Sequence, residues 1–582
     1  MENSAVDIIY RWDSDEASDK FIFNGDRQEV ERYLQAVDEI QRSQDYGVIQ
    51  MAMERLELEF RNIFVSHTNP LKIEVVEEEK QEQELQIRSC SCFGRFHFHA
   101  SSPASPKRHH NDDDEDRLLR FDRDYNSIYG LTGAVPCAEP VSFERNSSIS
   151  ENCVIPYYAI NDLRCIAERM ISSGYMCQCI EVYATVRKSV VDDTLRRLGI
   201  DDDVRWEQLG VEAKIQRWTE ASKVCFKTLF GNEKKLCEQI FDGVETSIAE
   251  ACFMETVKAP AIQLLNFVDT ACITLSSSPD NLFKILDLYE VLADLMPDIE
   301  LVFDSEFVRV MAAQVLSQLA EATRGALSLF ENVLLGDLSK VVVPDGGIHP
   351  LTTYVMNYLS LISESDYKNI LNELIQSRPS FTLDVYFADT EEEVKERNPL
   401  DMHLIWVIQT LQFSLDDNSK RCKDEPLSHL FIVNNVHHIL ERVRASSGLM
   451  HVTGDDYLKK LIQRIRRDAT SYERASWGRV LNCLTFKGLS RSNIQIIRRT
   501  KRFNAMFENV HRTQAVWFIP DPQLREDLQL SIIQKLIPAY RTWLGLCGIW
   551  RKGRTGYYFK YSVEDLNNAV FNFFQGIPVS QH

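Results

Sequence analysis

No run of apolar residues in this 582-residue chain approaches the ~20 that a membrane-spanning helix needs. The N-terminus, MENSAVDIIYRWDSDE, has no basic leader and no apolar stretch after one, so it does not read as a signal peptide. The second residue is Glu2, not the glycine of a myristoylation signal, and no cysteine box closes the chain. Any membrane contact is therefore expected to be peripheral. The 14 cysteines are scattered, with no CxxC pair, which favours a reducing, intracellular setting and mostly buried thiols. The common nucleotide, metalloprotease and hydrolase signatures (GxxxxGKS/T, HExxH, GxSxG) are missing. GIWRKGRTG, near the end, is glycine-rich but lacks the Walker spacing and follows no strand. These absences point to a protein that binds rather than one that catalyses, and no cofactor or metal is expected.

What is present suits a helix-rich chain: 44% hydrophobic, 26% charged, with 23 Gly and 18 Pro. The net charge of −21 is unevenly spread. Residues 401–582 carry 26 Lys+Arg against 16 Asp+Glu, a balance of +10, which leaves −31 for residues 1–400. A basic end on an acidic chain favours a polyanionic partner, either a membrane surface or nucleic acid. The plainer reading is that basic helices are solvated faces.

From residue 160 onward, helix follows helix, with short breaks at Gly, Pro or Asn. Leu163, Ile166, Ala167 and Met170 form one apolar stripe, and Ile180, Tyr183, Val186 and Leu195 form the next. Further helices are predicted over 206–230, 233–242, 246–275, 279–296, 304–335, 349–377, 400–415, 427–444, 455–483, 491–511, 521–545 and 562–575. Two shorter ones lie within 20–64, the first capped by Asp26 and the second striped by Ala52, Leu56, Phe60 and Ile63. Strand-like alternation is essentially missing and no fixed-period repeat occurs, so the fold class is all-α, with helical bundles stacked end to end.

Residues 71–150 break this rhythm with an acidic run and Ser-rich stretches, and 87–150 reads as disordered linker. Ser102, Ser105, Ser147 and Ser148 are candidate phosphosites there. Cys90-x-Cys92 and His97-x-His99 have zinc-ligand chemistry without zinc-knuckle spacing, which favours incidental linker residues. Residues 378–399 read as an exposed acidic loop. Cys177-x-Cys179 lies on a helix, where the two thiols face different ways. His437 and His438 read as one core ring and one exposed ring. Asp201, Asp202 and Asp203 are simplest as charge at a helix start. The expected organisation is 1–70, a short N-terminal helical segment; 71–155, an acidic linker; 156–345, helical bundles; 346–400, a helix plus acidic loop; and 401–582, basic C-terminal bundles facing a membrane.

The rest of the chain is organised around Leu427 to Leu484. Leu430, Val433, Val436, His437 and Leu440 recur at helical spacing, with Ser428 as N-cap and Gly448 after the last turn. Asp455 and Asp456 open a second helix that carries Lys459, Lys460, Arg464, Arg466, Arg467, Arg474 and Arg479. The expectation is a helical hairpin with one apolar and one basic face. Its pattern LSHLFIVNNVHHIL, then GDDYL, then SYERASWGRV resembles the 70-kDa subunit family of the exocyst vesicle-tethering complex, in its plant form. HPLTTYVMNYLSL from His349, LFKILDLYEVLADLMP from Leu282 and the helices from Asp162 to Gly199 carry the same resemblance.

The resemblance implies an elongated rod of consecutive helical bundles and a non-enzymatic role in tethering secretory vesicles to the plasma membrane. Implied partners are other exocyst subunits, an anionic phosphoinositide membrane (chiefly phosphatidylinositol 4,5-bisphosphate), and a Rho-type small GTPase or defence proteins. Localisation would be cytoplasmic, with peripheral recruitment to the plasma membrane. The chain begins close to the first family-like helix, without the coiled-coil-like segment that usually precedes it. An adaptor in defence or autophagy, outside a full exocyst, is therefore the alternative.

The candidate lipid site is the basic C-terminal surface. Arg498, Arg499, Lys501 and Arg502 cluster, Lys535 and Arg541 follow, then Arg551, Lys552, Arg554 and Lys560. Trp543, Trp550, Tyr557, Tyr558 and Phe559 are interleaved, and aromatics suit a membrane interface. Nucleic acid would obey similar electrostatics, but no groove-reading motif or stacking platform accompanies the cations, so no nucleic-acid partner is expected. GYYFKYSVEDL resembles the family's membrane-contacting segment. Lys560 matches the second of its two lysines, and Tyr557 stands where the first would be, which predicts altered lipid affinity or choice.

Overall fold

The computed structural model describes residues 4–14, 20–43, 45–67, 155–200, 209–244, 246–336, 343–376, 398–485, 493–549 and 559–576. The linker cysteines, histidines and serines, Asp201–Asp203 and most of the 378–399 loop lie outside them. The described residues divide into two compact units, the first ending at Leu327 and the second starting at Ser328. Both are helical; the one β-bridge among them joins Phe518 to Gln575.

The first unit opens with α1 (Ala5–Trp12), α2 (Arg27–Ser43) and α3 (Tyr46–His67), which pack on one another. Helix α1 was not expected. Ser4 and Asp7 set its start, the Asp7 carboxylate accepting the Ser4 N–H at 3.3 Å. Asp26 acts as expected ahead of α2, accepting from Gln28 N at 3.3 Å, and the α3 stripe is buried. Then follow α4 (Tyr157–Ser172), α5 (Met176–Arg197), α6 (Val211–Val224), α7 (Phe230–Ile240), α8 (Thr246–Leu275), α9 (Leu282–Val302) and the start of α10 (Glu306–Leu335). A π-helical turn, Cys225–Leu229, joins α6 to α7. Helix α3 packs on α4 and α5, α5 on α8, and α6 on α9. Arg169 clasps Asp38 with two hydrogen bonds of 2.7 and 2.8 Å, tying α4 to α2.

In the second unit, α14 (Glu425–Ala445) packs against α11 (Pro350–Glu364), α13 (Pro399–Ser419) and α15 (Ser447–Cys483), while α12 (Lys368–Gln376) packs on α13. The predicted single helix over 349–377 is two, broken after Glu364. Helix α14 differs from the expected hairpin arm. It starts after Asp424, leaving Ser428 inside, and residues Leu430 to Val436 are all buried, so it has no basic face. Seven consecutive buried positions make it a central helix, apolar all round except for two asparagines. Asn435 accepts the His349 N–H at 2.8 Å and the Thr352 hydroxyl at 2.7 Å. Asn434 donates to the carbonyls of Gly346 and Phe518 at 2.6 and 2.9 Å. The Asn435 amide is matched at both its oxygen and its nitrogen, which is what makes its burial stable, whereas the Asn434 oxygen is buried with no partner among the described residues.

Gly448 does not end α14. It lies in the first turn of α15, where a Cβ would stand 2.1 Å from the Ser363 carbonyl oxygen, so only glycine allows that crossing. At Gly454, φ 74° and ψ 170° interrupt α15, and Asp455 and Asp456 follow this break as the sequence indicated. Helices α16 (Asn493–Gln514) and α17 (Pro522–Ile549) pack on α15, and α18 (Val563–Phe571) packs on α17.

Candidate functional site

The SYERASWGRV stretch knits the C-terminal helices together. Tyr472 is buried and donates to Gln514 Oε1 of α16 at 2.9 Å, while Gln514 donates to Ser476 Oγ. Burial pushes the Tyr472 phenol well above its ordinary range, so it stays a donor. Glu473 receives the Ser531 hydroxyl and the Lys535 ammonium of α17.

With α16 held this way, Thr500, Phe503 and Phe507 face inward. Trp543 Nε1 donates to Thr500 Oγ1 at 3.2 Å, and Tyr540 stacks on Phe503 at 5.2 Å. The opposite side of α16 is basic. Arg498, Lys501 and Arg502 are exposed and, at spacings of three and four, share one face. Arg512, which sequence reasoning passed over, is exposed on the same face three turns on. Its signal was present: it falls at helical spacing from Arg498 and Lys501. Arg499 is half-buried and donates to the Thr485 carbonyl, so it belongs to a different side.

Lys560 is brought to α16 from 52 residues away. Its Nζ lies 2.7 Å from Glu508 Oε1, and Tyr561 packs on Phe507 at 5.1 Å. Glu508 is the sole carboxylate of α16. The hydrogen bond from Lys560 holds its carboxyl below the usual range, and the same bond raises the Lys560 ammonium. Lys535 and Arg541 are exposed but do not converge: six residues apart on α17, they point roughly 120° from each other. Arg551, Lys552, Arg554, Trp550, Tyr557 and Tyr558 lie outside the described residues. Phe559 is half-buried. Trp543, expected among the interfacial aromatics, is fully buried. Its ring fills the α16–α17 seam and its N–H finds Thr500 there, a better place for indole than a solvated surface.

The other sequence candidates separate. His437 and His438 are both half-buried rather than one in and one out. Cys177 is exposed and Cys179 buried, as helical placement requires, and burial pushes the Cys179 thiol up to about 12. Among the described residues, no group of three His, Cys, Asp or Glu side chains could hold a metal, and no helix is long and apolar enough to cross a membrane.

The model for the C-terminal region of the Exo70 exocyst complex subunit matches residues 216–571, and the model for the N-terminal region of exocyst component Exo70 matches residues 3–66. The chain belongs to the plant-type Exo70 family of exocyst subunits. It is 32% identical over 474 residues to exocyst complex component EXO70B1 of Arabidopsis thaliana, covering 78% of this chain and 72% of the relative. To EXO70A1 of the same plant it is 31% identical, covering 74% and 68%. The crystal structure of the S. cerevisiae exocyst component Exo70p aligns over 97% of this chain and 98% of its own, with 14% identity and a TM-score of 0.53, which shows the shared all-α Exo70 fold. Exo70 subunits are structural tethering proteins and not enzymes, and their partners are other exocyst subunits.

Proposed function

We propose that this Exo70 chain tethers secretory vesicles to the plasma membrane by resting the outward face of α16 on anionic phosphoinositide. The observation that carries the reading is the face itself: Arg498, Lys501, Arg502 and Arg512 stand on one side of a helix whose only carboxylate, Glu508, is engaged by Lys560. Each cation near an anionic leaflet contributes about 1 kcal/mol. Four together supply roughly 4 kcal/mol, about a thousandfold in affinity, in a reversible and salt-sensitive form. Lys560 adds to this face when Glu508 releases it, and in the sequence Arg551, Lys552 and Arg554 add positive charge to the stretch ahead of Lys560. Arg499, Lys535 and Arg541 belong to other sides and contribute through the general field.

Co-sedimentation with vesicles at physiological salt, with and without phosphatidylinositol 4,5-bisphosphate, tests this. Lipid-dependent binding should be lost when Arg498, Lys501, Arg502 and Arg512 are changed to Glu together. It should weaken when Arg551, Lys552, Arg554 and Lys560 are changed to Ala. Undiminished binding by the first variant would remove α16 from the site. A second reading, an adaptor in defence or autophagy outside a full exocyst, is favoured by the engagement of Lys560 with Glu508 and by Tyr557. Absence of vesicle binding by the unaltered chain would put it first. Defence proteins or a Rho-type GTPase would then be the partners to seek.

A further inference from the structure

A cleft of about 200 Å³ opens between α15 and α17. Trp477, Leu481, Ile532 and Leu536 give it an apolar lining, with Glu473, Arg474 and Lys535 also along it. Glu473 is satisfied by Ser531 and Lys535. Arg474 is exposed and makes no hydrogen bond or ion pair with the described residues. Gly478 also lines the cleft, and a Cβ there would meet nothing within 4 Å. A glycine in a helix interior costs about 1 kcal/mol relative to alanine. No neighbour crowds Gly478 and its backbone is helical, so the fold itself does not require it. Its effect is to leave the cleft open.

The shape limits the occupant. A volume of about 200 Å³ is below the ~300 Å³ at which small-molecule pockets begin, so it suits one large side chain. A hollow receives a projecting group, whereas contact with a bilayer calls for apolar groups that project from the protein. Charge limits it further. Along the cleft and within about a turn of it, the exposed side of α15 carries Arg466, Arg467, Arg474 and Arg479, and neither Asp468 nor Glu473 is fully exposed. An approaching segment meets positive charge around an apolar hollow.

We infer that this cleft docks an acidic linear segment of a partner protein, seating one large apolar side chain against Trp477 and Ile532 and a neighbouring carboxylate on Arg474. The inference does not rest on lipid binding by α16. A buried apolar anchor with a rim ion pair is a common way to hold a short peptide, the anchor supplying most of the affinity and the charge selecting the partner.

The test uses the full chain with labelled Ile and Leu methyl groups, observed by NMR. The probe is a synthetic twelve-residue peptide of Asp and Glu around a central Trp; in a control peptide, Ser replaces the Trp. The probe should shift the Ile532, Leu481 and Leu536 methyls saturably, and the control should not. Arg474→Glu should weaken binding about tenfold. Gly478→Gln should abolish it by filling the cleft. The melting temperature of that variant should hold or rise, because a helix-breaking residue has been removed. The inference fails if those methyls do not respond at millimolar probe, or if Gly478→Gln binds as well as the unaltered chain. It also fails if phosphoinositide vesicles shift the three methyls while the peptide does not, which would assign the cleft to lipid.

Discussion

Arg187–Glu233 in the first unit and Lys560–Glu508 in the second are both ion pairs of 2.7 Å, yet they serve opposite purposes. The side chains of the first pair are 12% and 1% exposed; those of the second are 59% and 38% exposed. Burial works against the Arg187 charge, but Glu233 more than offsets it and holds the guanidinium above its ordinary range. Tyr183 completes the buried group, its hydroxyl donating to Glu233 Oε1 at 2.7 Å, and Cys237 donates to that hydroxyl at 3.0 Å. Such a network fixes helices in place, because no member can leave without stranding another. The exposed pair constrains little: water competes for both partners and salt screens them. Identical distances therefore say nothing about role. Exposure decides whether a charge is committed to the fold or available to a partner.

Four experiments would sharpen or break that contrast. The largest effect is expected for Glu233→Gln, which leaves Arg187 buried without its counter-charge and should destabilise the first unit by about 3–5 kcal/mol in urea denaturation. A loss below 1 kcal/mol would show that the buried pair is solvated after all. Next comes Asn435→Leu in the second unit. It strands the His349 N–H and the Thr352 hydroxyl and should cost about 3 kcal/mol by the same measurement.

A smaller effect should follow pH. Burial, with help from Arg442, pushes His438 down to about 4. The unfolded chain takes up this proton near pH 6.5, so the contribution is fully present above that pH and is lost as pH falls from 6.5 towards 4. His438→Gln should flatten that part of the stability profile relative to the unaltered chain. The smallest change is expected from Glu508→Gln. It should leave the melting temperature nearly unmoved, free Lys560, and raise vesicle affinity by less than tenfold. A large drop in stability would place the exposed pair with the buried one.

Much of this could be read without a structure. The long helices over 246–275 and 304–335 match α8 and α10 within two residues because Gly, Pro and polar breaks flank strong apolar periodicity. Helix α1 was missed because eight residues give too short a window for a period to stand out. Helix α14 was misread as amphipathic because Asn434 and Asn435 look like surface residues until their partners are known. In the candidate site, Arg498, Lys501 and Arg502 were legible as one cluster. Arg499 was not separable from them, and Lys535 and Arg541 were joined to a surface they do not share.

The sequence by itself determined the all-α class, most helix spans, the basic C-terminal part and, through its motifs, the exocyst family. These are local or additive properties: a helix period repeats within a few residues, and charge is a count. Only the tertiary structure decided that Trp543 is core, that Glu473 holds Lys535, that Lys560 reaches Glu508 and that Gly478 leaves a cleft open. Each depends on which residues meet across tens of positions. Packing of whole helices sets that, and no spacing within one helix encodes it.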